Sequence, residues 1–478
     1  MEDKKLLAEF DAMSLFRPPI VRSATAALDR SLFSKTFPIA AARVLNPKNI
    51  TRIKVQLDKS HEVLNLERHK PVQIDPDPAL ASKGGKCLLL NPKVKPDDWN
   101  TWSKVLQEAS EKDEIKVIPY DLVLDYDYWQ YLDVMTSILP EDAQAEIPVG
   151  FTMVGHVAHL NIKEQYLPYK KIIAEVIVDK NPNILTVINK TDVVGTHSQF
   201  RTFGYEVLFG PDDMKVELGE GDCVFKFDYS KVYWNSRLQT EHKRLVDMFN
   251  PGEVVCDVMA GIGPFALPAG KKDVFVLAND LNPESYKYLK EGIIRNKVSL
   301  RNRPTLQRRR PHIHPTRSRP PPNPSRHLQQ HNHAPHPRSK TFPRPPPPLP
   351  HALGAPTTRT LFLPPTISHF VMNLPADAIS FLPSFNGLYY GHESLFAPQT
   401  ATKLPLIHVH CFSTKSDDNV RETREICQRI SESLGWVIEP GEHEMSVYEV
   451  RDVAPNKRMF CASFRLPREV AFRERGSW

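Results

Sequence analysis

The sequence of 478 residues has no apolar run of about eighteen or more, so no membrane-spanning helix is expected. It has no C-x-x-C pair: the six cysteines, Cys87, Cys223, Cys256, Cys411, Cys427 and Cys461, are scattered, and no segment reads as a secretory signal. That pattern argues against a disulfide framework or a zinc site and for free thiols in a reducing compartment. Acidic residues are missing entirely between Gly292 and Ala376, a stretch that holds 14 Lys and Arg. Removing those 14 cations from the net charge of +6 leaves −8 for the rest of the chain. The overall basicity therefore says nothing about the folded domains, and any RNA contact must come from local basic patches. What is present is ordinary for a globular protein: 41% hydrophobic and 25% charged residues, and enough length for two or three domains.

Met1 to Met13 is charged and does not resemble a targeting segment, whereas the stretch after Met13 is basic and rich in Ser and Ala. It reads either as a mitochondrial presequence exposed by a start at Met13 or as an amphipathic first helix. From about Leu45 to Ser137 the chain mixes strand-like runs (Ile50 to Leu57, Val117 to Pro119) with a helical stretch around Trp99 to Ala109, which predicts a small α+β domain within residues 1–137. In residues 138–235 the β-branched runs Gly150 to Leu160, Lys171 to Val178 and Ile184 to Ile188 predict strands of a middle α/β module. Residues 236–478 alternate strand and helix patterns, the mark of a parallel sheet with crossover helices.

That alternation breaks at 298–366. Between Pro304 and Pro350, 15 of 47 positions are Pro, with six His and eight Arg, a composition that cannot bury enough apolar surface to order itself. A translated intron or frameshift, a genuine disordered insertion and a His-rich metal site are the three readings, the last weakened by the lack of ligand spacing.

Glu253 to Val258 is a short apolar run entering Met259-Ala-Gly-Ile-Gly-Pro-Phe265, a strand followed by a glycine turn with Asp257 at the strand end. Gly261 and Gly263 allow a bend and a close backbone approach that a Cβ would block. A second strand, Val274 to Ala278, ends in Asn279-Asp280, where an acid can accept hydrogen bonds from ribose hydroxyls. Asn282 and Pro283 then read as the cap and first residue of a helix. No G-x-G-x-x-G fits the turn, so D-x-x-A-G-x-G with the following acid predicts S-adenosylmethionine in place of a dinucleotide.

His369 to Pro375 is an apolar strand ending in Asn373-Leu374-Pro375, similar to the Asn/Asp-Pro-Pro-aromatic turn that holds a nitrogen before the methyl donor in amino-group methyltransferases. Taken alone it reads as an ordinary strand-end turn. Together with Phe200 to Val207, Phe225 to Glu241, Asp257 to Phe265, Asn279 to Pro283 and Val453 to Lys457, in that order, it becomes specific. The chain from Met13 to Leu466 resembles the eukaryotic and archaeal tRNA (guanine-37-N1)-methyltransferases of the fungal type, apart from the Pro/Arg-rich segment.

The resemblance implies a class I, Rossmann-like methyltransferase domain preceded by a small N-terminal tRNA-recognition domain and a middle RNA-binding domain. It implies a monomer that uses S-adenosylmethionine, takes tRNA bearing guanosine 37 as partner and contacts no membrane. Cytoplasm, nucleus and mitochondrial matrix are all open to it. It places Glu241 as the general base for the N1 proton, Arg201 beside the developing charge on O6, and Asn373 and Pro375 around the flipped base. The implied cofactor contacts are Asp257, Gly261, Gly263, Pro264, Phe265, Asp280, Leu281, His242 and Asn373, and no metal is implied. Without the resemblance, Glu241 reads as part of an exposed helix face and Arg201 as a surface cation or phosphate contact. Tyr233, Trp234 and Arg237 read equally as RNA contacts or aromatic core, and His408-Val-His410 as a strand and not a metal pair.

The sequence departs from the family after Lys297, where a strand with an adenine-contacting acidic or polar residue is expected and no Asp or Glu occurs. The chain as written is therefore expected to bind cofactor weakly or to misfold locally. Two other functions remain: a methyltransferase acting on protein or a small molecule, and an RNA-binding protein without catalysis.

Overall fold

The computed structural model describes residues 15–24, 27–191, 200, 202–298 and 363–474. Described residues fall into two compact units, Met1–His197 with Phe203–Val216, and Ser198–Thr202 with Glu217–Trp478. No helix among the described residues is long and apolar enough to cross a membrane.

The first unit holds two four-stranded sheets. In one, β1 (Lys35–Val44), β2 (Val72–Ile74), β3 (Lys86–Leu89) and β4 (Ile115–Leu124) lie in the order β2-β3-β1-β4, all antiparallel. Both faces of β1 are covered: Ile39 and Ala41 join one apolar cluster, while Ala40, Ala42 and Val44 join another with Ile53, Leu57 and Leu106. The second sheet is β5 (Thr152–Val154), β6 (Val157–Leu160), β7 (Thr186–Lys190) and β8 (Tyr205–Phe209), in sequence order. The first of those clusters continues from Phe16 through the helix Tyr131–Ile138 to Val187, so one core serves both sheets.

Two runs expected as strands are helices. Ile50–Lys59 buries Ile53 and Leu57, four residues apart, and Lys170–Lys180 buries Ile172, Ile173, Val176 and Ile177. Their β-branched content favours strands, but spacings of three and four residues place the apolar side chains on one helical face, and that burial outweighs the propensity. The run Gly150 to Leu160 is the hairpin of β5 and β6, and Ile184 to Ile188 leads into β7.

Among the described residues, β9 (Lys215–Glu220), which begins in the first unit and ends in the second, forms a ribbon with β10 (Cys223–Asp228), and the main sheet of the second unit holds six strands. These are β11 (Val254–Asp257), β12 (Phe275–Ala278), β13 (His369–Met372), β14 (Leu406–Thr414), β15 (Ser446–Ala454) and β16 (Lys457–Arg465). Their order is β12-β11-β13-β14-β16-β15, with β12, β11, β13 and β14 parallel and the last two antiparallel. The α/β alternation expected from residue 236 onward is present. From β11 the chain first goes outward to β12 and then returns to the other side as β13, which creates a switch point at the carboxyl ends of β11 and β13. The segment 299–362 lies outside the described residues, and among those described β12 ends the sheet.

Candidate active site

The loops after β11 and β12 are laced together at this carboxyl edge. Asn279 N–H donates to the Asp257 carbonyl at 2.9 Å, Ala260 N–H to the Asn279 carbonyl at 2.8 Å, and Val258 N–H to the Val371 carbonyl at 3.0 Å. Gly261 has φ +56°, and no described residue lies within 4 Å of where its Cβ would be, so among the described residues the outer face of the turn is open. Its N–H donates to Asp280 Oδ2 at 2.8 Å, while Asp280 Oδ1 accepts from Asn282 N–H at 2.8 Å. Asp280, expected to meet ribose hydroxyls, thus also ties the glycine turn to the capped start of the helix Pro283–Arg295. Asn282 caps that helix through Glu284 N–H at 3.0 Å, as its sequence indicates.

Gly263 does something different. At φ +96°, a Cβ there would stand 2.6 Å from Leu289 Cδ1 and 3.0 Å from Leu267 Cγ. Its missing side chain makes room for two leucines. Replacing Gly263 by Ala should therefore destabilise the unit by about 1–3 kcal/mol from overpacking, with the unfavourable φ added. Thermal melting checks this: an unchanged melting temperature would refute the close-packing account.

Asp257 is fully buried, and among the described residues neither carboxylate oxygen has a well-formed hydrogen bond, with the Met259 amide leaning on the group. Burial pushes its pKa up to about 8, and the neighbouring Asp280 carboxylate adds to the rise. A buried acid short of donors, under an open glycine turn at a switch point, suits a cationic ligand bearing hydroxyl donors. S-adenosylmethionine fits that description. Pro264 and Leu281 are half-buried on the two loops. Phe265 is buried, with its ring edge-on to His242 at 4.9 Å. His242 is committed to Glu220, with Nδ1 2.5 Å from Oε1.

The helix Gln239–Met248 buries Glu241 against the sheet. Glu241 Oε2 accepts from Arg244 Nε at 2.7 Å, and Oε1 from Arg244 Nη2 at 2.8 Å and His410 Nε2 at 2.8 Å. Burial alone would raise the carboxyl, but Arg244 and His410 together bring it down to about 2. His410, lowered by burial, is lifted by Cys461 and Glu241 to about 10. Glu241, His410 and Cys461 present ligand atoms within 4.8 Å of one another, a grouping able to hold a metal. The Arg244 guanidinium already engages both Glu241 oxygens, however, and the arrangement reads as an ion-pair cluster. The expected exposed helix face is therefore not where Glu241 sits.

The same face of the sheet carries more imidazoles. His408 Nε2 is 3.0 Å from His369 Nδ1, and its Nδ1 is 2.7 Å from Ser463 Oγ. His369 Nε2 lies 3.3 Å from Glu253 Oε2. His408-Val-His410 is a strand, as read, with His410 recruited to Glu241.

Asn373 is half-buried and follows β13 by one residue, on the edge where Asp257 ends β11. Pro375 is buried in the turn, and the Leu374 carbonyl is occupied by Asp377 and Ala378 N–H at 2.9 and 2.8 Å. Arg201 lies outside the described residues. Trp234 is core, packed on Phe225 and Phe227 at 5.0 and 5.4 Å, whereas Tyr233 and Arg237 are exposed. His410, Arg244 and Cys461 were missed in the sequence. The available signal was two histidines at alternate positions of an otherwise apolar strand, since a buried imidazole needs a partner.

Comparison with known proteins agrees with this architecture. Residues 131–213 match the TYW2 N-terminal domain family and residues 216–310 the TRM5/TYW2 methyltransferase domain family. The tRNA (guanine(37)-N(1))-methyltransferase of Neurospora crassa is 54% identical over 97% of this chain and 96% of its own length. The chain belongs to the tRNA (guanine(37)-N(1))-methyltransferase family. The Fusarium vanettenii member is also 54% identical, covering 97% of this chain and 98% of its own, and the Schizosaccharomyces pombe member 41%, covering 93% and 94%. Among solved structures, Trm5b from Pyrococcus abyssi covers 89% of this chain and 99% of its own at 20% identity, with a TM-score of 0.55. A structure of aTrm5 with tRNALeu covers 90% and 100% at 16% identity, with a TM-score of 0.53. These two likenesses support the fold: an α/β architecture with an N-terminal part and a methyltransferase domain.

Proposed function

We propose that this chain transfers a methyl group from S-adenosylmethionine to N1 of guanosine 37 in tRNA, supporting reading-frame maintenance. The observation that carries the reading is the meeting of the donor-poor Asp257, the open Gly261 turn and Asn373 on one carboxyl edge, in a chain whose near-full-length relatives bear that name. When bound there, S-adenosylmethionine supplies a methyl group on a sulfonium. Asp257, Gly261, Asp280 and Leu281 would hold it, with Pro264, Phe265 and His242 shaping the neighbouring wall.

N1 of guanine carries a proton and is a weak nucleophile, so a base must take that proton as the methyl arrives. Glu241 is the proposed base, and Arg201 the proposed cation for O6. Asn373 and Pro375 would hold the base after it leaves the anticodon loop, which costs less than extrusion from a duplex. Residues 1–137 are proposed to recognise the tRNA, and 138–235 to grip the anticodon loop together with the class I domain of 236–478. A monomer distributed among cytoplasm, nucleus and mitochondrial matrix completes the reading.

The test is methyl transfer from labelled S-adenosylmethionine to an unmodified transcript bearing G37, with an A37 transcript as control. Transfer to G37 alone is the expected result. Transfer to both transcripts would refute the guanosine 37 assignment. The Neurospora relative matches over 97% of this chain and 96% of its own length, and can donate the corresponding segment. If neither transcript is methylated, a protein in which 298–366 is replaced by the relative's sequence separates the two causes. Restored transfer would assign the loss to that segment, and continued silence would overturn the proposed activity.

A further inference from the structure

We propose that His410 is a positioning residue for methyl transfer: from the middle of the sheet it fixes the Glu241 carboxylate in place, and Arg244 is the partner that yields to the substrate. The proposal rests on reading Glu241 as the base.

The two donors on Glu241 differ in how firmly they are held. His410 is 0% exposed and belongs to β14, which has β13 on one side and β16 on the other. Its backbone cannot move without disturbing three strands, so Nε2 is a fixed point 2.8 Å from Oε1. Arg244 grips from the same helix as Glu241, three residues on, with its side chain 23% exposed. Its guanidinium carbon lies 4.1 Å from the centroid of the Tyr448 ring, which is 42% exposed on edge strand β15. One hold comes from the core of the sheet, and the other from a partly exposed side chain that also reaches Cys461.

That asymmetry decides what the carboxylate can do. With both donors in place, Oε1 accepts two hydrogen bonds and Oε2 one, and the last lone pair on Oε2 belongs to a side chain only 1% exposed, closed to an incoming N–H while Arg244 stays. If Arg244 turns outward to an anionic or carbonyl group of the RNA, Oε2 is freed while His410 still holds Oε1. The N1–H bond then breaks with its proton going to Oε2, its electron pair forms the N–CH3 bond, and the methyl–sulfur pair returns to sulfur. A single remaining cation keeps the carboxyl ionised at neutral pH without making it as weak a base as two do.

The groups that set this balance come from every element around it. Arg244 is on the helix, His408 and His410 on β14, Cys461 on β16 and Asp257 on β11, and Tyr448 faces Arg244 from β15. Of these, His408 is already tied to Ser463 and His369, which leaves His410 as the sheet's donor to Glu241.

The experiment compares wild type with His410→Gln, His410→Leu and Glu241→Gln in the G37 assay across pH, with S-adenosylmethionine binding measured separately. Gln can keep a donor near the Nε2 position without the charge, and Leu keeps neither. His410→Leu is expected to lower kcat about tenfold or more, with KM for tRNA and cofactor affinity little changed. The acid limb of its kcat profile should move up by about one pH unit or more. His410→Gln should recover most of kcat but retain the shifted limb, a split that a purely structural role would not produce. Wild-type kcat and pH profile in both His410 variants, beside an inactive Glu241→Gln, would overturn the proposal while leaving Glu241 as the base. An active Glu241→Gln would overturn the base reading and this proposal with it. If His410→Leu does not melt cooperatively, the limb of His410→Gln decides alone: shifted supports the role, unshifted refutes it.

Discussion

Glu241→Gln should lower kcat about 100-fold or more while cofactor affinity stays within about threefold, because it removes the proposed proton acceptor, used only in the transition state. The same variant should reveal how much the pair stabilises the fold. The Glu241 carboxyl sits at about 2 instead of 4.5, a difference on the order of 3 kcal/mol in favour of the folded state. For an acid whose folded pKa is lowered, that stability is complete above 4.5 and is lost as pH falls toward 2. His410 is the mirror case: raised from 6.5 to about 10, it contributes fully below 6.5 and loses its contribution as pH rises through 10. The two shifts describe one interaction and are counted once. The melting temperature of Glu241→Gln should therefore fall furthest below wild type between 4.5 and 6.5, with the gap closing toward pH 2. Parallel melting curves across that acid range would contradict the ion-pair account.

Asp257→Asn should do the reverse, trading cofactor binding for stability. Its carboxyl is raised from 3.8 to about 8, so the folded chain holds the proton more tightly than the unfolded chain does. Stability then declines as pH rises above 3.8, and the cost is complete beyond about 8. Asn carries no charge to bury, so the variant should melt higher at pH 8.5, by roughly 2–4 °C for each kcal/mol relieved, and show no gain near pH 4. S-adenosylmethionine affinity should fall about tenfold or more, since the acid proposed to meet its donors is gone. Calorimetry in buffers of different ionisation heat adds a second readout: wild type should release a proton on binding at pH 7 and Asp257→Asn should not. Equal proton counts would show that Asp257 does not ionise when cofactor binds.

The parallel sheet was legible in the sequence because its strands are short apolar runs closed by turn chemistry. Asp257, Gly261, Asp280 and the Asn282-Pro283 cap all stand where their local pattern puts them, at the carboxyl edge of β11 and β12. Local pattern failed where two periodicities compete. Ile50 to Leu57 and Lys171 to Val178 are rich in β-branched residues, and burial on one helical face decided the matter. It also failed at Glu241, where Glu-His-Lys-Arg reads as a solvated helix face. The partner that buries it, His410, lies 169 residues away, and no local spacing announces a contact closed by the fold itself. Gly263 shows the same limit on a smaller scale: a turn glycine was readable, but the leucines that need its space were not.

The alternation on β14 has a consequence for how the chain finds its pairing. His408 and His410 point to the face that carries Glu241 and Ser463, while Ile407, Val409 and Cys411 point into the opposite apolar cluster. A slip of one residue against β13 or β16 would exchange the two faces. Both imidazoles would then enter hydrocarbon without partners, Glu241 would be left buried against aliphatic side chains, and each misplaced polar group would cost about 1–3 kcal/mol. A strand of unbroken Val and Ile would tolerate that error far better. The buried histidines thus act as a locking key for strand alignment: wherever the chain can close the sheet incorrectly, they make the wrong alignment the unstable one.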